Sequence, residues 1–256
     1  GVLCAALVGV SPKTAHASST DGIFGVNVSM ELRYDRSEEP TIIATLSDLG
    51  VQWVREEFNW NVIEPQSGVY DWYGYDVTMG QYAQAGIQVL GVLAYSADWA
   101  SSAPTMATDK DKYPPDDAAW RTFVDAVVRR YPPVTAWEIW NEPNHASFLT
   151  ANNRPKAYAT ILQTASSAIR AVNPNATIVL GGLSGADASF LQKLYRAGVG
   201  DAFDVVGVHP YRTINGKTIY SPEVTLFGLN NLVTDLQVIR SMIHAYDPSS
   251  PAPIWI

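Results

Sequence analysis

From Asp21 onward the chain alternates two kinds of segment, and that alternation limits its folds more than any other feature. Short apolar, β-branched runs read as buried strands: IFGVNV (23–28), VQWVRE (51–56), IQVLGVLAY (87–95), TAWEIWN (135–141), ATIVLGG (176–182), FDVVGVHPY (203–211) and PIWI (253–256). Longer stretches with helical spacing separate them, at 38–49, 72–85, 116–131, 154–172, 187–197 and 227–246. Asp116 or Asp117 opens one of these and Asp187 another, where a short acceptor satisfies free N–H groups. Gly50, Gly86, Pro132 and Pro174 close four of them.

Strand, helix, strand, repeated without a long gap, gives parallel strands joined by crossover helices. A doubly wound sheet would carry a Gly-rich phosphate loop after its first strand, and GVNVSMELRYD is not one. The pattern therefore predicts an α/β fold, a (β/α)8 TIM barrel that is incomplete, with about seven of eight strands. No linker or repeat divides residues 18–256, and 47% hydrophobic against 16% charged residues supports one core. Gly181-Gly182 reads as strand-end turn chemistry.

Residues 1–17, GVLCAALVGVSPKTAHA, read differently. A short apolar run followed by Ala15-His16-Ala17 is the remnant of a secretory signal peptide, and its removal would take away Cys4, the only cysteine. The expectation is a secreted, cysteine-free protein with no stable membrane insertion. A net charge of −8 with no Lys/Arg run argues against a nucleic-acid partner. No His/Asp/Glu group has metal-ligand spacing, so neither metal nor cofactor is expected.

In such barrels function gathers where strands end. The ends here are REEFNW (55–60), YSADWAS (95–101), NEPNH (141–145) and HPY (209–211). Aromatic faces suit a sugar ring, amides and charges suit its hydroxyls, and a carboxyl can act on the glycosidic bond. WNEPN (140–144) with VREEFNWNVIEPQSGVYDW (54–72) resembles the clan A glycoside hydrolases, most of all families 39 and 5, over about Gly22 to Ile256. That resemblance implies a retaining glycosidase acting on oligo- or polysaccharides. It implies Glu142 as acid/base, Asn141 as the amide on the sugar 2-hydroxyl, and Arg55 as the cation that keeps the nucleophile ionised. His209 and Tyr211 would line the site, with Trp99 and Trp60 as sugar platforms. The nucleophile belongs after the seventh strand, so it is expected to be absent from this chain and the fragment inactive.

Elementary chemistry supports the same choice. A retaining glycosidase needs one carboxyl with a raised pKa and one kept ionised. A Trp-rich strand behind Glu142 predicts the raised pKa, and Pro143 would force the chain out of the strand. Glu138, two turns of the pleat deeper, reads as a buried structural carboxylate paired with Arg55 or Arg33. Glu56 and Glu57 read as rim ligands or solvated loop residues, His145 as a loop residue, and Trp72 and Trp120 as core. Two other functions compete: a carbohydrate-binding barrel without catalysis, and a lyase or metal hydrolase. The second is disfavoured because no Lys stands at a strand end.

Overall fold

The computed structural model describes residues 4–7, 23–211, 213–214, 218–219 and 231–256. Seven strands lie in chain order within one curled sheet, each parallel to the next: β1 (Ile23–Asn27), β2 (Trp53–Asn59), β3 (Gln88–Ala94), β4 (Ala136–Ile139), β5 (Thr177–Ser184), β6 (Val205–His209) and β7 (Ile254–Trp255). This is the incomplete α/β barrel that the alternation predicts. The backbone of Cys4–Leu7 pairs antiparallel with β1; the rest of residues 1–17 lies outside the described residues.

The helices are α1 (Met30–Arg33), α2 (Glu39–Asp48), α3 (Trp60–Ile63), α4 (Tyr73–Gln84), α5 (Asp117–Arg130), α6 (Arg154–Val172), α7 (Ala188–Arg196) and α8 (Leu232–Tyr246). Asp116, not Asp117, caps α5 by accepting from Ala119 N at 2.9 Å, and Asp187 caps α7 through Phe190 N at 2.9 Å. After α2 and α4 the chain reverses through Gly50 and Gly86, each at φ +69°, a conformation that penalises any Cβ. No described helix is long and apolar enough to cross a membrane.

Three departures from the sequence expectation bear on the site. β2 continues three residues past Glu56, because Val54, Glu56 and Phe58 are buried against the helices while Arg55 faces the interior. Phe58 stacks on Tyr75 and packs against Tyr131 and Trp137, contacts that only an extended strand can reach. β4 ends at Ile139, before Pro143 acts, because Trp140 turns into the left-handed region at φ +68°. Gly181 and Gly182 are no turn; they lie inside β5, beside a register shift between Leu180 and Leu183.

Where the strands begin, the interior is sealed by Trp53, Leu90, Ala136, Val179, Val205 and Trp255. Behind the sheet, fully buried Trp120 and Trp60 pack with Phe123, each contributing roughly 1.5–3 kcal/mol by leaving water. The apolar interior layer gives way to polar groups toward the strand ends.

Candidate active site

The first polar layer is an ion pair. Arg55 on β2 donates twice to Glu138 on β4, Nε to Oε2 at 2.7 Å and Nη2 to Oε1 at 2.9 Å. Such a fork-on-carboxylate match is the strong form of this interaction. Gly182 N also donates to Glu138 Oε1 at 2.9 Å. Burial opposes the charge on Glu138, but Arg55 outweighs it and holds the carboxyl below its ordinary range. Of the two partners expected for Glu138, Arg55 is the one that pairs with it.

Asn141 carries this layer upward. Its Oδ1 accepts from Arg55 Nη2 at 3.0 Å, and its Nδ2 donates to the Tyr95 hydroxyl at 3.1 Å. Arg55 also reaches Asn27 Oδ1 at 3.3 Å. Left-handed backbone at Trp140 (φ +68°) and Glu142 (φ +43°) brackets Asn141 and turns both polar side chains inward. A non-glycine residue there is held against its preference, a form of strain found at functional positions.

Glu142 is 4% exposed. Its Oε1 meets His209 Nδ1 at 2.9 Å and accepts from the Tyr211 hydroxyl. An ionised carboxylate only accepts, so the His209 contact places the imidazole proton on Nδ1. The expected rise in the Glu142 pKa is not found. Burial pushes it up, but the hydrogen bonds from His209 and Tyr211 favour the charged form and hold it below its ordinary value. A Trp-rich strand behind a carboxyl counts for less than donors in front of it.

Two features that hold this arrangement were not legible in the sequence. A Cβ on Gly182 would fall 2.1 Å from His209 Nε2, so glycine is required for the imidazole to lie where it does. Asn144 fastens the loop after Glu142 to the end of β5: its Oδ1 accepts from Ser184 N at 3.0 Å, and its Nδ2 donates to Ser184 O at 2.9 Å. Strand alternation pointed to neither, because one is an absence of side chain and the other lies beyond the strand.

The expected residues thus form two hydrogen-bonded groups, Arg55 with Asn141 and Glu142 with His209 and Tyr211, that meet where Asn141 and Glu142 adjoin in the chain. Trp99 stands apart on the loop after β3, 38% exposed, with Nε1 donating to Glu64 O at 2.9 Å. Trp60 is corrected from platform to core: it is fully buried, stacks on Phe123, and donates Nε1 to Glu64 Oε2 at 2.7 Å. Glu56 is corrected too. It is neither rim nor loop but lies fully buried behind the sheet, accepting from Met30 N at 2.9 Å and the Tyr82 hydroxyl at 3.0 Å. Glu57, on the opposite face of the strand, is half-buried and shares the interior with Arg55. His145 is an exposed loop residue. A groove of about 550 Å³ between α7 and α8, lined in part by Gln192, Val238 and Tyr246, contains none of these groups.

Residues 14–250 match the family Cellulase (glycosyl hydrolase family 5). Among solved structures, the chain is similar to a monomeric beta-xylosidase from Caulobacter crescentus CB15, with a TM-score of 0.71 at 22% identity, covering 90% of this chain and 50% of that one. It is also similar to the family 39 glycoside hydrolase from Xanthomonas axonopodis pv. citri, with a TM-score of 0.65 at 21% identity, covering 90% and 48%. A family 39 glycoside hydrolase from Bacteroides cellulosilyticus WH2 gives 0.65 at 22% identity, covering 90% and 46%. The chain therefore spans about half the length of these structures, and the likeness is one of fold. Among curated protein sequences none matches.

Proposed function

The chain belongs to glycosyl hydrolase family 5, and from that premise we propose that it carries the acid/base half of a secreted, retaining glycosidase acting on oligo- or polysaccharides. The observation that carries the reading is Glu142, buried at the strand ends and held by His209 and Tyr211, with Asn141 beside it in the same hydrogen-bonded set as Arg55. A carboxyl so placed can protonate a leaving glycosidic oxygen and later take a proton from the attacking water. His209 and Tyr211 fix its direction and set its proton affinity.

Its low pKa in this arrangement fits the second of those roles directly. For the first, a neighbouring carboxylate nucleophile would raise it, since two charges sharing a site cannot both ionise easily. Asn141, pinned between Arg55 and Tyr95, presents its amide where a sugar 2-hydroxyl would lie. Trp99 supplies an exposed aromatic face on the rim.

The reading is tested by the stereochemistry of hydrolysis in the protein that contains this chain. Aryl β-xylosides, β-glucosides and β-mannosides are supplied in turn, and the first-formed anomer is followed by proton NMR. Retention of the β-configuration is expected. Release of the α-anomer first would contradict the retaining mechanism, and no hydrolysis of any glycoside would leave the binding-barrel alternative.

A further inference from the structure

Glu142 keeps a left-handed backbone, φ +43°, directly before Pro143, which narrows its choices further. A non-glycine residue stays in that region only where its surroundings hold it there. The later part of the loop is fastened elsewhere: Trp140 Nε1 donates to Phe148 O at 2.8 Å, and Thr150 N to Lys112 O at 2.8 Å. Ahead of those anchors, the Glu142 carbonyl accepts from His145 N at 2.9 Å and closes a four-residue turn with Pro143 at its second position.

The peptide that supplies this N–H joins Asn144 to His145, and it is gripped from its other side. Arg154 Nε donates to Asn144 O at 3.2 Å. A cationic donor makes a stronger hydrogen bond than a neutral one, and it polarises the same peptide so that its N–H donates better. Arg154, the Asn144–His145 peptide and the Glu142 carbonyl therefore form one hydrogen-bonded relay. Arg154 is anchored for the task. It opens α6, a 19-residue helix whose start is fixed by Asn153 Oδ1 accepting from Lys156 N at 3.2 Å. Among the described residues no carboxylate pairs with Arg154, so the contact with Asn144 O is what holds its half-buried head group. The Asn144 side chain, by contrast, sets where the loop meets β5, through the Ser184 backbone.

We propose that Arg154 is a positioning residue for Glu142, acting through the Asn144–His145 peptide to keep the carboxyl aimed at His209 and Tyr211. The inference rests on the glycosidase reading and adds a residue that its proton delivery depends on. Arg154 itself exchanges no proton and touches no reacting atom. When the turn relaxes, the carboxyl leaves the two groups that fix its direction, and the step that needs an aimed proton slows while others do not.

The test compares two substrates of the protein that contains this chain: a glycoside with a poor leaving group, which needs the proton, and a dinitrophenyl glycoside, which does not. The ratio kcat/KM reports the step in which the leaving group departs. Arg154→Ala should lower it about 10- to 100-fold for the poor leaving group and leave it within about two-fold for the dinitrophenyl glycoside. Arg154→Lys keeps a charged donor and should recover most of the loss, because a single N–H rather than the guanidinium fork is in use. Equal losses on both substrates, no loss on either, or no rescue by Lys would overturn the proposal. Glu142→Ala, measured alongside, separates the two readings. If it discriminates between the substrates and Arg154→Ala does not, only this inference fails; if it slows both alike, the acid/base assignment fails and this inference with it.

Discussion

Glu138 and Glu56 are both buried carboxyls on neighbouring parts of one sheet, yet they are opposite in state. Glu138 faces the interior, where the Arg55 fork overcomes burial and keeps it ionised. Glu56 faces the helices, where it accepts from Met30 N and the Tyr82 hydroxyl and no cation pairs with it among the described residues. Burial pushes its pKa up to about 8, and among the described residues its Oε1 has no hydrogen-bond partner. Burial alone decides neither case. What decides is whether a full opposite charge comes with it, and that sets the protonation of each face of the sheet.

The sharpest way to break this contrast is to remove the charge from the interior. Arg55→Met leaves Glu138 buried and unpaired, and should destabilise the fold by about 3–5 kcal/mol in chemical denaturation. Adding Glu138→Gln to that variant should recover part of the loss. A small effect of Arg55→Met alone would mean that Glu138 is held by something other than the ion pair.

The back of the sheet should respond to pH with the sign belonging to a raised acid. Folding favours the protonated form of Glu56, so its contribution is fully present below about 4.5, its ordinary value, and is lost as pH rises through about 8. On the order of 3 kcal/mol should disappear from the unfolding free energy between pH 5 and pH 8. Glu56→Gln should flatten that slope. Glu138 carries the reverse sign, its contribution being lost only as pH falls through its lowered value. Equal slopes in wild type and Glu56→Gln would show that Glu56 is not the group responsible.

A neutral contact should matter less than either. Asn144→Ala removes two hydrogen bonds to the Ser184 backbone, and should cost about 1–2 kcal/mol with the fold intact. A loss as large as that of Arg55→Met would place the Asn144 clamp, not the ion pair, at the centre of the site's stability.

The barrel beat was legible because strands buried on both faces are continuously apolar and helices carry caps and stops, as with Asp187 and Gly86. Glu142, Asn141, Arg55, His209 and Tyr211 were singled out by the resemblance to the clan A hydrolases, and the alternation of strands and helices brought them to one side of the sheet. What failed were readings of single residues out of register. Glu56 and Glu57 look alike in sequence, and only the alternation along an extended β2 sends one behind the sheet and the other inside. Trp60 and Trp99 look alike as aromatics, but Glu64 and Phe123 bury the first. The Glu142 pKa was misjudged because its donors come from β6 and beyond, 67 and 69 residues further along the chain.

Glu142 is proposed to deliver the proton to the leaving oxygen, and Glu142→Ala tests this in the protein that contains this chain. Hydrolysis of a glycoside with a poor leaving group should fall about 10²- to 10⁴-fold. A dinitrophenyl glycoside, which needs no acid to depart, should still release its phenol. Added azide should then speed turnover and yield a glycosyl azide of retained configuration. Wild-type rates on the poor leaving group, or indifference to azide, would contradict the assignment.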